Sequence, residues 1–218
     1  SGIRKSNVTF ALEAGSELMR ERIRKKSSED NLHYLIREIY GRGWDLVKVY
    51  FMLGLPDRDG REVEDLINSL NALGELAKEC GPRKKVNVTV SLFVPKPFTT
   101  FQWEEQKGPA FFNESIEKIK AGMRTNRVHV RHPTPWMSWV EGLLSRSDHR
   151  VGYYLEKAFE NGASFDSWDD GFRQDVWEPV MDEVSPELKQ LWMGQKAGGT
   201  PLAFEEIVEG FPRDRLIK

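Results

Sequence analysis

The first 125 residues alternate between two hydrophobic periodicities, and this alternation restricts the fold more than any other feature of the chain. The clearest segment is Leu46–Leu53, a nearly continuous apolar run of strand length that ends at Gly54. Such a run is typical of a parallel strand that is covered on both faces. Helical spacing flanks it, at 32–40 and at 63–76. The sequence therefore predicts an α/β fold with a parallel sheet and right-handed crossovers.

Weaker periodic signals extend this pattern toward both ends of the chain. Ser27 or Ser28 is suited to cap the helix at 32–40, because a serine side chain can accept from the first N–H groups of a helix. The remaining predicted elements are strands at 7–12, 86–94 and 128–130, and helices at 17–26, 115–123 and 153–161.

Composition sets the size and the class of the protein. At 218 residues the chain is long enough for one domain, or for one domain with an appendage. The 32 Lys and Arg residues against 34 Asp and Glu residues give a net charge of −2, so no overall field indicates nucleic acid or an anionic membrane as a partner. No apolar run approaches the ~20 residues of a membrane span, and the first thirty residues show no signal-peptide pattern. We expect a cytoplasmic protein.

The character of the chain changes near residue 132. We predict an α/β portion at 1–131 and a Trp-rich, acidic and mostly helical extension at 132–218, with a flexible connector at 195–200. Acidic residues are concentrated at 165–188. Five of the seven tryptophans lie in the extension: Trp136, Trp139, Trp168, Trp177 and Trp192.

Three segments are candidates for a ligand site, because ligands of parallel α/β folds gather at the carboxyl ends of the strands. They are the run from Glu13 through Gly15 to Ser16, the turn Gly54-Leu55-Pro56, and the proline-braced loop that begins near Phe93. Each also has a purely structural interpretation. Ser16 can be a helix N-cap, the glycine turn can be only a tight turn, and Phe93 can be a core residue.

Metal chemistry has little support in this chain. Cys80 is the single cysteine, which excludes an internal disulfide and any all-cysteine zinc or iron–sulfur site built from this chain alone. If the segment is extended, the three-residue separation of His129 and His132 points their side chains to opposite faces. A basic run at 20–26 could contact phosphate, but a solvated helix face is the commoner explanation. We predict no metal ligands here.

Taken together and in order, three segments resemble the second half of a radical S-adenosylmethionine (SAM) barrel. They are Thr-Phe-Ala-Leu-Glu-Ala-Gly-Ser at 9–16, Val-Lys-Val-Tyr-Phe-Met-Leu-Gly-Leu-Pro at 47–56, and the stretch from Val88 through Pro95-Lys96-Pro97 to Trp103. The sequence is most similar to uncharacterised radical SAM proteins that often carry a cobalamin-binding-like domain. The resemblance continues through 138–146 and weakly into 201–216.

This resemblance implies a partial (β/α) barrel, with this chain supplying about strands four to six. The family binds a 4Fe-4S cluster through a three-cysteine loop after its first strand, and the cluster cleaves SAM reductively to a 5′-deoxyadenosyl radical. That loop is not in this chain, so the resemblance implies a fragment that is inactive alone. The parent protein would hold SAM and the 4Fe-4S cluster, with cobalamin as a further cofactor that the fused domain would bring.

The resemblance also assigns roles to residues. Glu13, Gly15 and Ser16 match the motif near the ribose and methionine parts of SAM. The turn Gly54-Leu55-Pro56 and Phe93 match positions near adenine. The chain departs from the pattern at 57–59, where Asp-Arg-Asp replaces the common Thr-Glu-Thr, and at Leu12 and Leu18, which replace a common proline and arginine.

Partners follow from the same interpretation. The expected partners are the remainder of the parent chain and an unidentified substrate. The bare edge of the strand at 8–12 would be covered by a partner chain, including a second copy, or by the extension. Two alternatives stay open: a non-catalytic α/β binding or scaffold module that docks a protein through its acidic, Trp-rich tail, and a metal-free transferase in which Glu13 is a general base.

Overall fold

The computed structural model describes residues 8–164, 166 and 170–206, and these residues form four strands and eight α-helices. The strands make one parallel sheet in the order β1 (Val8–Glu13), β2 (Leu46–Leu53), β3 (Lys85–Leu92) and β4 (Val128–Arg131). The predicted α/β class with a parallel sheet is confirmed. Each strand neighbours the next one in the chain, so every crossover has the same direction across the sheet.

Contacts between residues divide the chain into two units. The first unit contains the chain up to Leu92 together with Phe112–His132, and therefore the whole sheet. The second unit contains Phe93–Phe111 and the chain from Pro133 onward. Since each unit has its own core, we describe them separately.

The helices of the first unit follow the predicted periodicity. They are α1 (Glu17–Arg22), α2 (Glu29–Gly41), α3 (Glu62–Cys80) and most of α4 (Pro109–Gly122). The Ser28 side chain caps α2 by accepting from Asn31 N at 3.1 Å, which confirms one of the two predicted caps. Leu32, Ile36 and Tyr40 of α2 are buried, as the spacing predicts.

The strands are buried on one face only. Val47, Val49 and their partners Val86 and Val88 are at most 1% exposed, whereas Tyr50 on the other face is 37% exposed. The prediction that the central strand is covered on both faces is therefore wrong. Because the strand order is sequential, right-handed crossovers place the connecting helices on one face of the sheet, and the other face stays open.

Helix α1 is shorter than predicted. It ends at Arg22 rather than at residue 26, because Arg24 adopts a left-handed conformation with φ of 57° and the chain turns there. The basic run at 20–26 is also not one solvated face, since Arg20 is 3% exposed. Strand β3 likewise ends at Leu92, two residues earlier than predicted.

The second unit is mostly helical, as predicted. It contains α5 (Pro135–Arg146), α6 (Val151–Glu160), α7 (Gln174–Asp182), α8 (Pro186–Met193) and a short 3-10 helix, Ala203–Glu206. The acidic tract includes α7, whose apolar face is buried. Trp168 lies outside the described residues. The centre of the core consists of Trp139, Leu143, Trp177, Met181 and Trp192.

A buried arginine connects the loops of the second unit. Arg146 donates to Glu104 O at 2.6 Å, to Trp192 O at 2.8 Å and to Gly194 O at 3.0 Å. Burial lowers the pKa of its guanidinium to about 10, while the charge of Glu104 acts in the opposite direction, so Arg146 is cationic at neutral pH. The side chain thus supplies donors to three carbonyl groups in two segments that are far apart in sequence, one at Glu104 and one at 192–194.

The segment 195–200 is held in place rather than flexible. Lys196 N donates to Trp103 O at 2.8 Å, and Trp103 Nε1 donates to Thr200 O at 2.8 Å. The Lys196 ammonium also donates to the carbonyl oxygens of Trp192 and Gly194. The expected flexible connector is therefore an ordered strap across Trp103. Within the described ranges, no helix has the length and apolar character that crossing a membrane requires.

Candidate functional site

The carboxyl ends of β1 and β2 lie side by side at one edge of the sheet. Glu13 pairs with Phe51 after an irregularity in β1, and its backbone is left-handed, with φ of 75°. Gly54 follows β2 and has φ of 90°. Both strands therefore leave the sheet through a left-handed residue. We call residues 13–16 and 54–62 the strand-end site.

Glu13 has the most strained backbone of the strand-end site. A positive φ in a residue with a Cβ is unfavourable and is found preferentially at functional positions. The carboxylate is half-buried, and its Oε1 accepts from Lys25 Nζ at 3.0 Å. The structure thus holds one oriented carboxylate at the end of β1.

The buried Arg20 fixes the loop that follows Glu13. Its guanidinium donates to Ala14 O at 2.8 Å, to Gly15 O at 3.3 Å and to Ser27 O at 3.0 Å. Sequence reasoning missed this role, since Arg20 lies in a run of charged residues that is typical of a solvated helix. No local pattern distinguishes it from its neighbours.

Gly15 and Ser16 have structural roles that are clear from their contacts. A Cβ on Gly15 would lie 2.5 Å from the backbone of Asp65 and Leu66, so a glycine is needed where α3 approaches this loop. Ser16 caps α1, and its hydroxyl accepts from Met19 N at 3.2 Å, which confirms the N-cap interpretation. The SAM-binding role of both residues stays a prediction.

The turn after β2 is closed by a glutamate that sequence reasoning did not single out. Glu62, the first residue of α3, is buried, and its carboxylate accepts from Gly54 N at 3.0 Å and Leu55 N at 2.9 Å. These two N–H groups are therefore satisfied within the chain. An acidic residue at the start of an amphipathic helix looks solvated in sequence, and only its favourable position near the positive end of the helix dipole suggests a structural role.

Asp57 continues the same network beside the half-buried Pro56. It accepts from Glu62 N at 2.8 Å and from Asp59 N at 2.9 Å. Burial alone would raise the pKa of Asp57, but donors from the backbone of Glu62 and of residues 59–61 lower it below the usual value. The departure from the family pattern at 57 thus places a carboxylate that binds the N-terminus of α3.

A cleft of about 500 Å³ lies between α2 and α3, next to the first half of the strand-end site. Its lining includes Gly15, Ser16, Ser28, Asp65 and Ser69. It brings together two of the predicted ligand residues, but it does not include Glu13 or the turn at 54–56. The cleft is therefore on the helix side of the sheet.

Phe93 belongs to the second unit and is described with it. The ring is 5% exposed and makes an edge-to-face contact with Phe101, with ring centroids 5.9 Å apart. Phe93 follows β3 directly in the chain, and within its own unit it is a packing residue. Its predicted place near adenine stays a prediction.

The open face of the sheet carries polar side chains in register, which sequence reasoning also missed. Thr9, Lys48, Asn87 and His129 form one row across the four strands, and Ala11, Tyr50, Thr89 and Arg131 form the next row toward the carboxyl ends. All are half-buried or exposed. The period-two alternation of Leu46–Leu53 contained the signal, but the apolar character of the run concealed it.

The chain does not fit an iron–sulfur cluster. Cys80 ends α3 near the start of β3, and therefore lies at the opposite edge of the sheet from the strand-end site. One thiol cannot hold three irons. Among the residues that the structure describes, no group of three or more His, Cys, Asp or Glu side chains is placed to hold a metal ion.

Comparison with known proteins gives one informative relative. The chain is 29% identical, over 154 residues, to an uncharacterised protein of Methanocaldococcus jannaschii. The match covers 71% of this chain and 33% of the relative, so the chain spans about a third of the relative's length. No protein family model and no solved structure matches the chain. The relative is therefore a longer protein, and its similarity to this chain assigns no activity to the chain.

Proposed function

We propose that this chain supplies the SAM-binding second half of a radical SAM barrel, as part of a longer protein whose upstream portion holds the 4Fe-4S cluster. The cluster would cleave SAM reductively to a 5′-deoxyadenosyl radical. The observation that carries the proposal is the placement of two motifs of the resemblance, at 9–16 and 47–56, at the carboxyl edge of adjacent parallel strands.

The strand order supports a barrel rather than a doubly wound sheet. In a doubly wound fold the strand order reverses at a switch point, and helices cover both faces. Here β1, β2, β3 and β4 follow in sequence, and one face is open. In a (β/α) barrel the corresponding face lines the interior. The half-exposed row of Lys48 and Asn87 suits an interior that receives a ligand.

Glu13 would orient one end of SAM. A carboxylate accepts hydrogen bonds from hydroxyl and ammonium groups, both of which SAM carries. The left-handed backbone at Glu13 and its contact with Lys25 fix the direction of this acceptor before the ligand arrives. A prepositioned group loses little conformational entropy on binding.

The turn at 54–56 would contact adenine through groups other than its first two N–H groups. The N–H groups of Gly54 and Leu55 donate to Glu62, so they are not donors for a purine. The turn would offer its carbonyl oxygens, which can accept from an exocyclic amine, and the ring of Pro56, which can flank a flat base. The proposal therefore assigns Glu62 to shaping the turn and not to contacting SAM.

The remainder of the parent chain would complete the sheet at β1. Among the described residues β1 pairs only with β2, so its outer backbone groups are available to another strand. The relative is about three times as long as its matched part, which leaves room for the missing half of a barrel. We propose that an upstream strand of the same polypeptide, and not a second copy, pairs there.

The experiment is a SAM titration of the parent protein with its cluster reconstituted anaerobically. Glu13→Gln is expected to weaken SAM binding about tenfold, the effect of losing one charged hydrogen bond. Glu17→Gln is the matched control, because Glu17 is an exposed acid on α1, and its effect should be under about twofold. Equal affinity of the two variants, or no SAM binding by the parent, would refute the proposal.

The docking alternative has less support. Trp139, Trp177 and Trp192 are at most 8% exposed and form the core of the second unit. These rings are therefore not an external surface for a protein partner. We do not propose a scaffold role for the extension.

A further inference from the structure

The open face of the sheet carries positive charges and, in the two rows described above, no negative ones. In these two rows, the cationic residues are Lys48 on β2 and Arg131 on β4, and the neutral polar residues include Asn87, Thr89 and Tyr50. No Asp or Glu occupies either row of this face. A face with positive charge and neutral hydrogen-bonding groups is complementary to an anion.

Three of these side chains have no partner among the residues that the structure describes. Of the hydrogen bonds and ion pairs between described residues, none involves the side chain of Lys48, Asn87 or Arg131. Elsewhere in the first unit comparable groups are paired, as Lys25 is with Glu13 and Lys84 with Asp45. Lys48 and Asn87 are nevertheless half-buried, which has a cost when a polar group lacks a partner. A bound ligand would offset that cost.

Register determines how far apart the two cations are. Lys48 is opposite Asn87, and Thr89 is opposite Arg131, so Lys48 and Arg131 are separated by two strand spacings and two residues along the sheet. At about 4.8 Å per strand and 3.3 Å per residue, their Cβ atoms are about 12 Å apart. Both side chains are long enough to reach a small molecule lying over β3 between them.

We propose that the open face binds an anionic organic substrate, with Lys48 and Arg131 contacting its charged groups and Asn87 and Thr89 contacting its polar groups. The inference rests on the proposed function, since it assigns a substrate class to the interior of the same barrel. Arg131 can bind a carboxylate or a phosphate through two parallel hydrogen bonds, whereas Lys48 acts as a single charge. The Tyr50 hydroxyl, in the same row as Arg131, is a further donor.

The test uses the 218-residue chain and two probes, pyrophosphate and citrate, in calorimetric titrations at low salt. Lys48→Met and Arg131→Met should each weaken binding about tenfold, and the double variant more than either alone. Binding should also weaken when salt is raised, because the charges are only partly buried. A preference for pyrophosphate indicates a phosphate-bearing substrate, and a preference for citrate indicates a carboxylate-bearing one.

Lys78→Met is the matched control, since it removes the same charge from the exposed surface of α3. Binding should change less than about twofold in this variant. If Lys78→Met weakens binding as much as Lys48→Met, or if neither probe binds the wild-type chain, the proposal is wrong.

The outcome is distinguishable from that of the SAM experiment. The anion titration needs neither SAM nor a cluster, and Glu13 is unchanged in it. Anion binding by the 218-residue chain that depends on Lys48 and Arg131, together with no SAM binding by the reconstituted parent protein, would refute the radical SAM assignment and keep the anion site. SAM binding by the parent protein, together with no anion binding by the chain, would refute the anion site and leave the radical SAM proposal standing.

Discussion

The two units of this protein are stabilised in different ways. The first is a sheet whose apolar strands are buried on one face, and its buried charges, Arg20 and Glu62, occur only where strands end. The second has no sheet among its described residues, and its loops are tied to its helices by Arg146, Gln106 and Trp103, which bond to backbone groups far away in sequence. Repeated backbone pairing joins the strands of the first unit, whereas a few side-chain hydrogen bonds join the loops of the second unit to its apolar helical core.

The largest expected effect is in the second unit. Arg146→Met removes three charged hydrogen bonds, leaving Glu104 O without the guanidinium and Trp192 O and Gly194 O with the Lys196 ammonium as their side-chain donor. We expect it to lower the free energy of unfolding by about 4 kcal/mol. Tryptophan fluorescence can follow this unit, because Trp44 is the one tryptophan of the seven that lies in the first unit. Urea titrations monitored by that signal provide the measurement.

Arg173→Met is the control for this prediction, because Arg173 is an exposed arginine paired with Asp175 in the same unit. Its effect should be under about 1 kcal/mol. Similar losses for the two arginines would show that the carbonyl contacts of Arg146 do not hold the loops together.

The next effect is in the first unit and tests close packing. Gly15→Ala places a methyl group 2.5 Å from the backbone of α3, and we expect a loss of about 3 kcal/mol because backbone cannot move aside as a side chain can. Gly41→Ala is the matched change, since no atom lies within 4 Å of its added methyl group. Thermal unfolding followed by circular dichroism should show a lower melting temperature only for Gly15→Ala. A stable Gly15→Ala variant would contradict the close approach of α3.

A smaller effect is expected at the turn after β2. Glu62→Gln replaces one acceptor oxygen with an NH2 group, which cannot accept from Gly54 or Leu55, and the loss should be about 2 kcal/mol. Glu64→Gln alters an exposed residue on the same helix and should be nearly neutral. Hydrogen exchange of the Gly54 and Leu55 amides measures the effect directly. Unchanged protection of both amides in Glu62→Gln would contradict the contact.

The smallest effect depends on pH. The pKa of Asp57 is lower in the folded chain than its ordinary 3.8, so its contribution to stability is complete above that value and is lost as the pH falls below it. Asp57→Asn removes this dependence. The difference in stability between wild type and Asp57→Asn should be constant above about pH 5 and should shrink in more acidic solution. A difference in stability that grows on acidification would show that folding does not lower the pKa of Asp57.

The fold was predictable where a local pattern and the tertiary environment agree. The strand Leu46–Leu53 was located correctly because a continuous apolar run of that length is typical of a strand, and α2 because burial on one face leaves a helical periodicity in the sequence. The end of α1 was not, because it depends on a left-handed residue, Arg24, whose side chain has no preference for that conformation. The strap at 195–200 was missed because its partner, Trp103, is distant in sequence.

The strand-end site was predictable only in part. Motif order correctly indicated that Glu13 and Gly54 end adjacent strands, since parallel strands bring successive carboxyl ends to one edge. The bonds to Glu62 and the rows on the open face were not predictable in this way, because they depend on which atoms face each other. The role of a glutamate in an amphipathic helix, or of a lysine in an apolar strand, cannot be read from sequence because it depends on whether the folded chain places a partner beside it.

Among the described residues, each unit contains one buried arginine that bonds to main-chain oxygens: Arg20 to those of Ala14, Gly15 and Ser27, and Arg146 to three others. Such a contact does not depend on which side chain the accepting residue carries. Homologues can therefore change many of the amino acids in these loops during evolution and keep the contacts, whereas insertion or deletion of a residue would move the oxygens out of reach. We expect the lengths of these loops to vary less than their sequences.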